Sequence, residues 1–237
     1  MVSMAISLSL AGLFIIKFDV IEAVQDFFKG AVLPQAYTST TLVLIPKIPK
    51  PSSFGDMRPI SLCNFTYKII SKILTDRLAT ILPMLISHEQ TGFVKGRLIH
   101  ENIALAHELA ADLDKKTFGG NVIFKVDMAK AYDRMEWEFL IAVMTKFAFS
   151  PHWCNLVHAC ISNCWYTISF LSKLSGYFKS YRGVRQGCCF SPPLYLFLLK
   201  RLLPETLICL FPQRKSVLIE LLMSTTGYVI SYLLMIC

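Results

Sequence analysis

Asp127 closes the largely apolar run 122–126 and opens the string Asp-Met-Ala-Lys-Ala-Tyr-Asp-Arg. A carboxylate at the end of a buried strand is costly unless it is paired or bound to a metal. It therefore reads as a metal-binding acid, as a helix cap, or as the partner of Arg134. Gly183-Val184-Arg185-Gln186-Gly187, followed by Ser191-Pro192, is the second such feature. Paired glycines let a backbone approach a ligand closely, and a helix N-terminus favours anions; a tight strand-to-helix turn explains the same letters. Lys47, Lys50 and Arg58 form the third, cations on proline-flanked loops suited to phosphate or simply solvated. His152, Cys154, His158, Cys160 and Cys164 form a fourth. Their spacing is not that of a closed zinc tetrahedron and fits a helix with buried thiols instead.

The pattern around these residues predicts the elements that position them. Residues 18–30 read as an amphipathic helix, and Thr40 to Ile45 as a β-branched strand. Pro46, Pro49 and Pro51 turn the chain into an extended basic loop. Asn64 caps a helix over 65–81, with Pro83 at its end. A loop over 87–96 precedes a helix over 99–116, closed by Gly119-Gly120. A strand over 121–127 ends in Asp127, and helices follow over 133–147 and 152–163. Strands over 166–171 and 177–181 lead to a helix from Ser191 to about 203. Strands mixed with helices, without regular βαβ alternation, predict an α+β fold.

The 237 residues are ample for a sizeable core, and 54% hydrophobic content excludes an intrinsically disordered chain. Lys+Arg number 24 against Asp+Glu 16, a net charge of +8 that permits a polyanionic partner. Eight cysteines inside apolar runs predict free thiols in a reducing, intracellular setting rather than a disulfide framework. Residues 1–16 are apolar, with no basic segment ahead of them, and are short for a membrane span. The run 217–237 is long enough to cross a bilayer, but Glu220 and Ser-Thr-Thr-Gly at 224–227 favour a buried strand–turn–strand passage over an anchor.

Taken in order, these pieces form longer text: LIPKIPKPSSFGDMRPISLCNFTYKIISKILTDRL at 44–78, SHEQTGFVKGRLIHENIALAHEL at 87–109, VDMAKAYDRMEWEFL at 126–140, and GVRQG before Ser191-Pro192. The chain resembles the reverse transcriptase domain of plant LINE-type (non-LTR) retrotransposons from about Lys17 to about residue 200. The resemblance implies a right-hand polymerase with fingers and a partial palm. Residues 17–120 would be fingers and 121–138 the palm strand with its first catalytic acid. Residues 139–175 would be a helical connection and 176–203 palm with the GVRQG loop, with 1–16 and the apolar tail 204–237 outside the pattern. Asp127 matches the family's catalytic, metal-binding carboxylate, and Tyr132 the aromatic gate against a ribose 2′-OH. Lys47, Arg58, Arg185, Gln186 and Gly187 match positions that meet the incoming nucleotide. Lys50, Gln90, Lys95 and Arg97, with Gly96, match positions on the template side. The implied cofactor is Mg²⁺, and the implied partners are an RNA template, a DNA primer and dNTPs, with no obligate protein partner.

One departure bears on activity. The resemblance implies a second carboxylate site, a Tyr/Phe-Ala-Asp-Asp hairpin, yet no Asp follows Asp133. The chain reads as cut short before that hairpin, and Asp133 lies too far past Asp127 to stand in for it. Cys189-Phe190 replaces the Pro-Leu usual before Ser-Pro. The expectation is a reverse transcriptase by descent that is inactive in these residues, the alternatives being an RNA-binding remnant or a membrane-attached one.

Overall fold

The computed structural model describes residues 10–86, 90–111, 122–127, 130–170, 173–199, 217–223 and 230–236. The first long element is α1 (Leu10–Lys29), and a single turn, α2 (Gln35–Thr38), leads into β1 (Ser39–Pro46). A short 3₁₀ turn, Phe54–Asp56, precedes β2 (Met57–Cys63). α3 (Phe65–Ala79) starts where Asn64 was expected to cap it, with the Asn64 side chain accepting from Thr66 N. Tyr67, Ile70, Ser71, Leu74 and Leu78 then recur at helical spacing and form its buried stripe. The turn α4 (Leu82–Leu85) follows, with Pro83 in its first turn, where a missing N–H costs nothing.

α5 (Ile99–Ala111) accounts for the described part of the helix expected over 99–116; its remaining residues and Gly119-Gly120 lie outside the described residues. β3 (Val122–Asp127) is the expected strand, apart from Asn121, which lies outside them. The helix expected over 133–147 is two pieces, α6 (Ala131–Arg134) and α7 (Trp137–Lys146). Met135 between them is extended, and its carbonyl accepts from Gly183 N at 2.7 Å, so a tertiary bond replaces helical continuity. α8 (Pro151–Ser162) is capped by the Ser150 hydroxyl, which accepts from Trp153 N.

β4 (Trp165–Phe170) and β5 (Lys173–Lys179) form an antiparallel pair. β5 starts earlier than expected because pairing of Trp165 with Lys179 fixes its register. Residues 191–199 form α9; the expected stretch 200–203 lies outside the described residues, as do 1–9 and 204–216. β6 (Val217–Met223) and β7 (Ile230–Ile236) complete the chain as strands. The two strands of the expected strand–turn–strand passage pair antiparallel, while the connection at 224–229 lies outside the described residues, and among the described residues no helix is long and apolar enough to cross a membrane.

Two sheets result. The four-stranded one has the order β2-β1-β4-β5, with β1 parallel to β4 and antiparallel to β2. β2 tolerates Pro59 because it lies at the sheet edge. The three-stranded antiparallel sheet has the order β3-β7-β6. The described core joins α1 through Phe27, α3, α7 through Leu140 and Met144, α8 through Val157 and Ile161, and α9. Leu194 to Leu199 are all buried, as expected of a helix that is apolar all round. Phe147 and Phe149 both meet Phe197 edge-on with ring centroids 5.4 Å apart, tying α7 and its C-terminal turn to that helix.

Candidate active site

Asp127 is the last residue of β3. Register puts it opposite Ser231 of β7, which in turn faces Leu222 of β6. Met223 pairs with Ile230, so the β6–β7 connection leaves the sheet at the Asp127 end. That connection, Ser-Thr-Thr-Gly-Tyr-Val at 224–229, contains no carboxylate and lies outside the described residues. Glu220, the sole acid in 217–237, stands in the row of Lys125 and Leu233. Two strand spacings across and two residues along put its backbone on the order of 12 Å from that of Asp127.

The segment after β3 is folded tightly. Lys130 takes a left-handed conformation, φ 52°, and its carbonyl accepts from Asp133 N and Arg134 N. Tyr132 is buried and stacks on Tyr195 of α9, with centroids 5.7 Å apart and planes 24° from parallel. The Asp133 carboxyl is raised in pKa by partial burial, an effect opposed by the nearby ammonium groups of Lys130 and Lys47. The basic loop before β2 therefore comes close to the turn after β3.

The 183–187 loop docks on this turn. Val184 N donates to Tyr132 O at 2.8 Å, and Trp137 Nε1 donates to Gly183 O at 2.7 Å. Gly183 has φ +81°, and a Cβ there would stand 2.8 Å from Tyr132 O and 2.9 Å from Asp133 O. Gln186 is half-buried, and its carbonyl accepts from Ser61 N at 2.8 Å, pinning the loop to β2. Gly187, φ +96°, lies exposed beside Ile60 and Ser61.

Arg185 points away from solvent, 3% exposed. Its Nε donates to Thr40 Oγ1 (3.1 Å), Nη1 to Cys160 O (3.0 Å), and Nη2 to Thr38 O (3.0 Å) and Asn163 O (3.4 Å). The guanidinium carbon lies 3.9 Å from the Tyr67 ring centroid. Burial raises the Tyr67 pKa, which keeps the phenol neutral beneath the cation. The expected contact of Arg185 with a nucleotide is not what this geometry provides. The residue braces the loop from inside, a positioning role.

The remaining expected residues divide by exposure. Lys47 and Lys50 are exposed on a loop organised by Asp56, whose Oδ2 accepts from Ser52 N and Ser53 N, both at 3.0 Å. Those donors hold the Asp56 carboxyl below its usual pKa. Lys47 Nζ donates to Gly55 O. Arg58 is half-buried on β2, opposite Ile45. Lys95 is exposed, next to Gly96 at φ +86°. Arg97 folds the loop below α4, with Nη1 donating to Gln90 O and Nη2 to Pro83 O and Ile86 O. Gln90 is buried, and its Oε1 has no partner among the described residues.

In the His/Cys stretch, Cys154, Cys160 and Cys164 are buried, Cys160 Sγ donates to the Tyr67 hydroxyl, and His158 meets Trp137 edge-on. Sequence reasoning did not single out Thr38, Thr40, Tyr67, Asn163, Ser61 or Trp137, which hold the loop. Their only signal is a polar residue on an otherwise apolar strand or helix.

The profile of the family described as "Reverse transcriptase (RNA-dependent DNA polymerase)" matches residues 48–213. The "Transposon TX1 uncharacterized 149 kDa protein" of Xenopus laevis is 27% identical over 201 residues, which are 85% of this chain and 15% of that protein. Apo telomerase from Candida tropicalis, truncated from its C-terminal domain, superposes with a TM-score of 0.52 at 14% identity, covering 91% of this chain and 47% of the other. Telomerase from the same organism in complex with a telomeric RNA fragment gives 0.52 at 15% identity, covering 93% and 39%. The fold is therefore reverse transcriptase-like, and the chain spans a minor part of each of these relatives.

Proposed function

The chain belongs to the reverse transcriptase (RNA-dependent DNA polymerase) family, and from that premise we propose that it is the fingers and palm portion of a LINE-type retroelement enzyme which, in these residues, binds RNA without extending a primer. The transposon relative supports the retroelement reading, and the long motif strings at 44–78 and 126–140 support the LINE type. In this reading residues 17–120 serve as fingers, and Asp127 with Tyr132 marks the palm. Lys47, Lys50 and Arg58 meet phosphate, Gln186 and Gly187 border the nascent pair, and Lys95 with the loop held by Gln90 and Arg97 lies toward the template.

The carrying observation is the row Asp127–Ser231–Leu222, with its carboxylate-free connection at 224–229. Two-metal phosphoryl transfer places the ions about 3.5–4 Å apart and needs acids on both sides of them. Asp127 supplies one acid. Ser231 is a weak neutral donor, Leu222 is none, and Glu220 stands too far along the sheet. The donor set does not fit a pair of Mg²⁺ ions.

Primer extension tests the reading. A primed RNA template, dNTPs and the full chain with Mg²⁺ or Mn²⁺ are expected to give no product above the enzyme-free control. Extension that vanishes in Asp127→Ala would show that a second acid is supplied after all.

A further inference from the structure

Thr40 and Ser61 are buried on one face of the four-stranded sheet. Strand alternation puts Ser39, Thr41 and Val43 of β1, beside Trp165, Thr167 and Ser169 of β4, on the other face, and none of the six is buried. β5 carries one residue too many for its partner. Tyr166 pairs with Phe178 but Ile168 with Ser175, and Gly176 between them takes φ +71°. This bulge turns both Leu174 and Tyr177 onto the Trp165 face, where Lys179 also stands. Tyr177 stacks on Trp165, with ring centroids 5.2 Å apart and planes 14° from parallel. Ser39 Oγ donates to Gln35 O at 2.8 Å and so accepts from the Tyr177 hydroxyl at 2.9 Å, which fixes the ring. Tyr177 is nevertheless 50% exposed. The four strands contain Arg58, Lys173 and Lys179 and no carboxylate.

We propose that this face binds single-stranded RNA, with an unpaired base stacked on the Trp165–Tyr177 pair and Lys179 meeting the adjoining phosphate. The proposal rests on the RNA-binding reading above and adds a second surface to it. Ser39 and Lys47 stand at opposite ends of β1, about 26 Å apart at 3.3 Å per residue, so one nucleotide cannot meet both.

The chemistry of the face selects this occupant. A ring already held flat and half in solvent offers a base a stacking partner without an ordering cost. Cations without acids complement a polyanion. The hydroxyls of Ser39, Thr41, Thr167 and Ser169 suit sugar and phosphate, whereas lipid tails would leave them unpaired. A second copy is opposed by charge: two β5 edges paired antiparallel about Gly176 would set Lys173 against Lys179 at both ends.

The full chain is titrated into a fluorescein-labelled uridine oligonucleotide, and binding is read by anisotropy across a salt series. Tyr177→Ala is expected to weaken binding at least about fivefold, the loss of one stacked base, by the same factor at every salt concentration. Tyr177→Phe keeps the ring and should stay within about twofold. Lys179→Gln should make the salt slope shallower by about 0.7. The wild-type chain, irradiated with an oligonucleotide carrying 5-iodouridine, should crosslink at Trp165 or Tyr177, a readout that needs no variant to fold. Unchanged affinity in Tyr177→Ala, or crosslinks confined to other residues, would overturn this surface while leaving the RNA-binding reading in place. Absence of any RNA binding by the wild type would overturn both. Tyr177→Ala that keeps RNA affinity but loses binding to phosphatidylserine vesicles, or loses self-association, would assign the face to a membrane or to a second copy instead.

Discussion

Arg185 is a buried cation whose described partners are a hydroxyl, three carbonyls and an aromatic face. Burying such a charge is repaid only by complete hydrogen bonding. Its planar fork reaches α2, β1, α8 and the residue that follows α8 at once, which a single ammonium cannot do. Arg185→Lys replaces a fork spread over four acceptors by a single point with three donors, and each carbonyl it leaves unpaired costs about 1–3 kcal/mol. A stability loss of about 2–4 kcal/mol is expected in urea unfolding, with an unchanged slope, and a loss below about 1 kcal/mol would show that the socket is dispensable. The side-chain type was plain in the sequence, but its destination was not. Thr38 lies 147 residues away and Asn163 lies 22 away, and neither spacing carries a local signal. Arg97 is the same case on a shorter scale, an expected template contact whose guanidinium also secures the carbonyls of Pro83, Ile86 and Gln90. Asp127 was the opposite. Its position at a strand end followed from the apolar run before it, because burial and periodicity are written locally.

At the scale of elements, the 183–187 loop is shaped by what it touches. Gly183 is left-handed, and its missing Cβ makes room for the Tyr132 and Asp133 carbonyls. Gly176 in β5 is also left-handed, φ +71°, but has nothing within 4 Å of a Cβ. Alanine at either position pays the left-handed penalty of roughly 1–2 kcal/mol. Only Gly183→Ala must also displace backbone and weaken the Val184–Tyr132 and Gly183–Met135 bonds. Its thermal unfolding midpoint is therefore expected to fall well below that of Gly176→Ala; equal midpoints would mean that the docking contributes nothing. The same docking explains why one expected helix became two. Helical periodicity runs through 133–147, but Met135 O is claimed by Gly183 N, a partner 48 positions away in sequence. α3 was legible because its cap and its stripe are both local. β2 was hidden because Pro59 argues against a strand unless the sheet order is known.

At the scale of the molecule, the described core and the basic loops sit on different elements. The described core gathers on α3, α7, α8 and α9, while Lys47, Lys50 and Lys95 stay in solvent on loops. The composition gave a surplus of +8 without saying where it lies. The structure sets two of these lysines on a loop stiffened by Asp56, and the Lys47 ammonium, which donates to Gly55 O, is felt by the Asp133 carboxyl in the turn 130–134. A stiff cationic loop beside a conformationally fixed turn can hold phosphate without first paying to order itself. RNA binding by this chain should then rest on counterion release, and its affinity should fall linearly with log salt. On single-stranded RNA each phosphate contact contributes about 0.7 to that slope. Lys47→Gln with Lys50→Gln is expected to make the slope shallower by about 1.4, read by fluorescence anisotropy across a salt series. Both lysines are exposed, so stability should hold while the slope changes. A slope identical in the wild type and the double variant would place the RNA-binding surface elsewhere, and the absence of any salt dependence would remove phosphate recognition from this chain altogether.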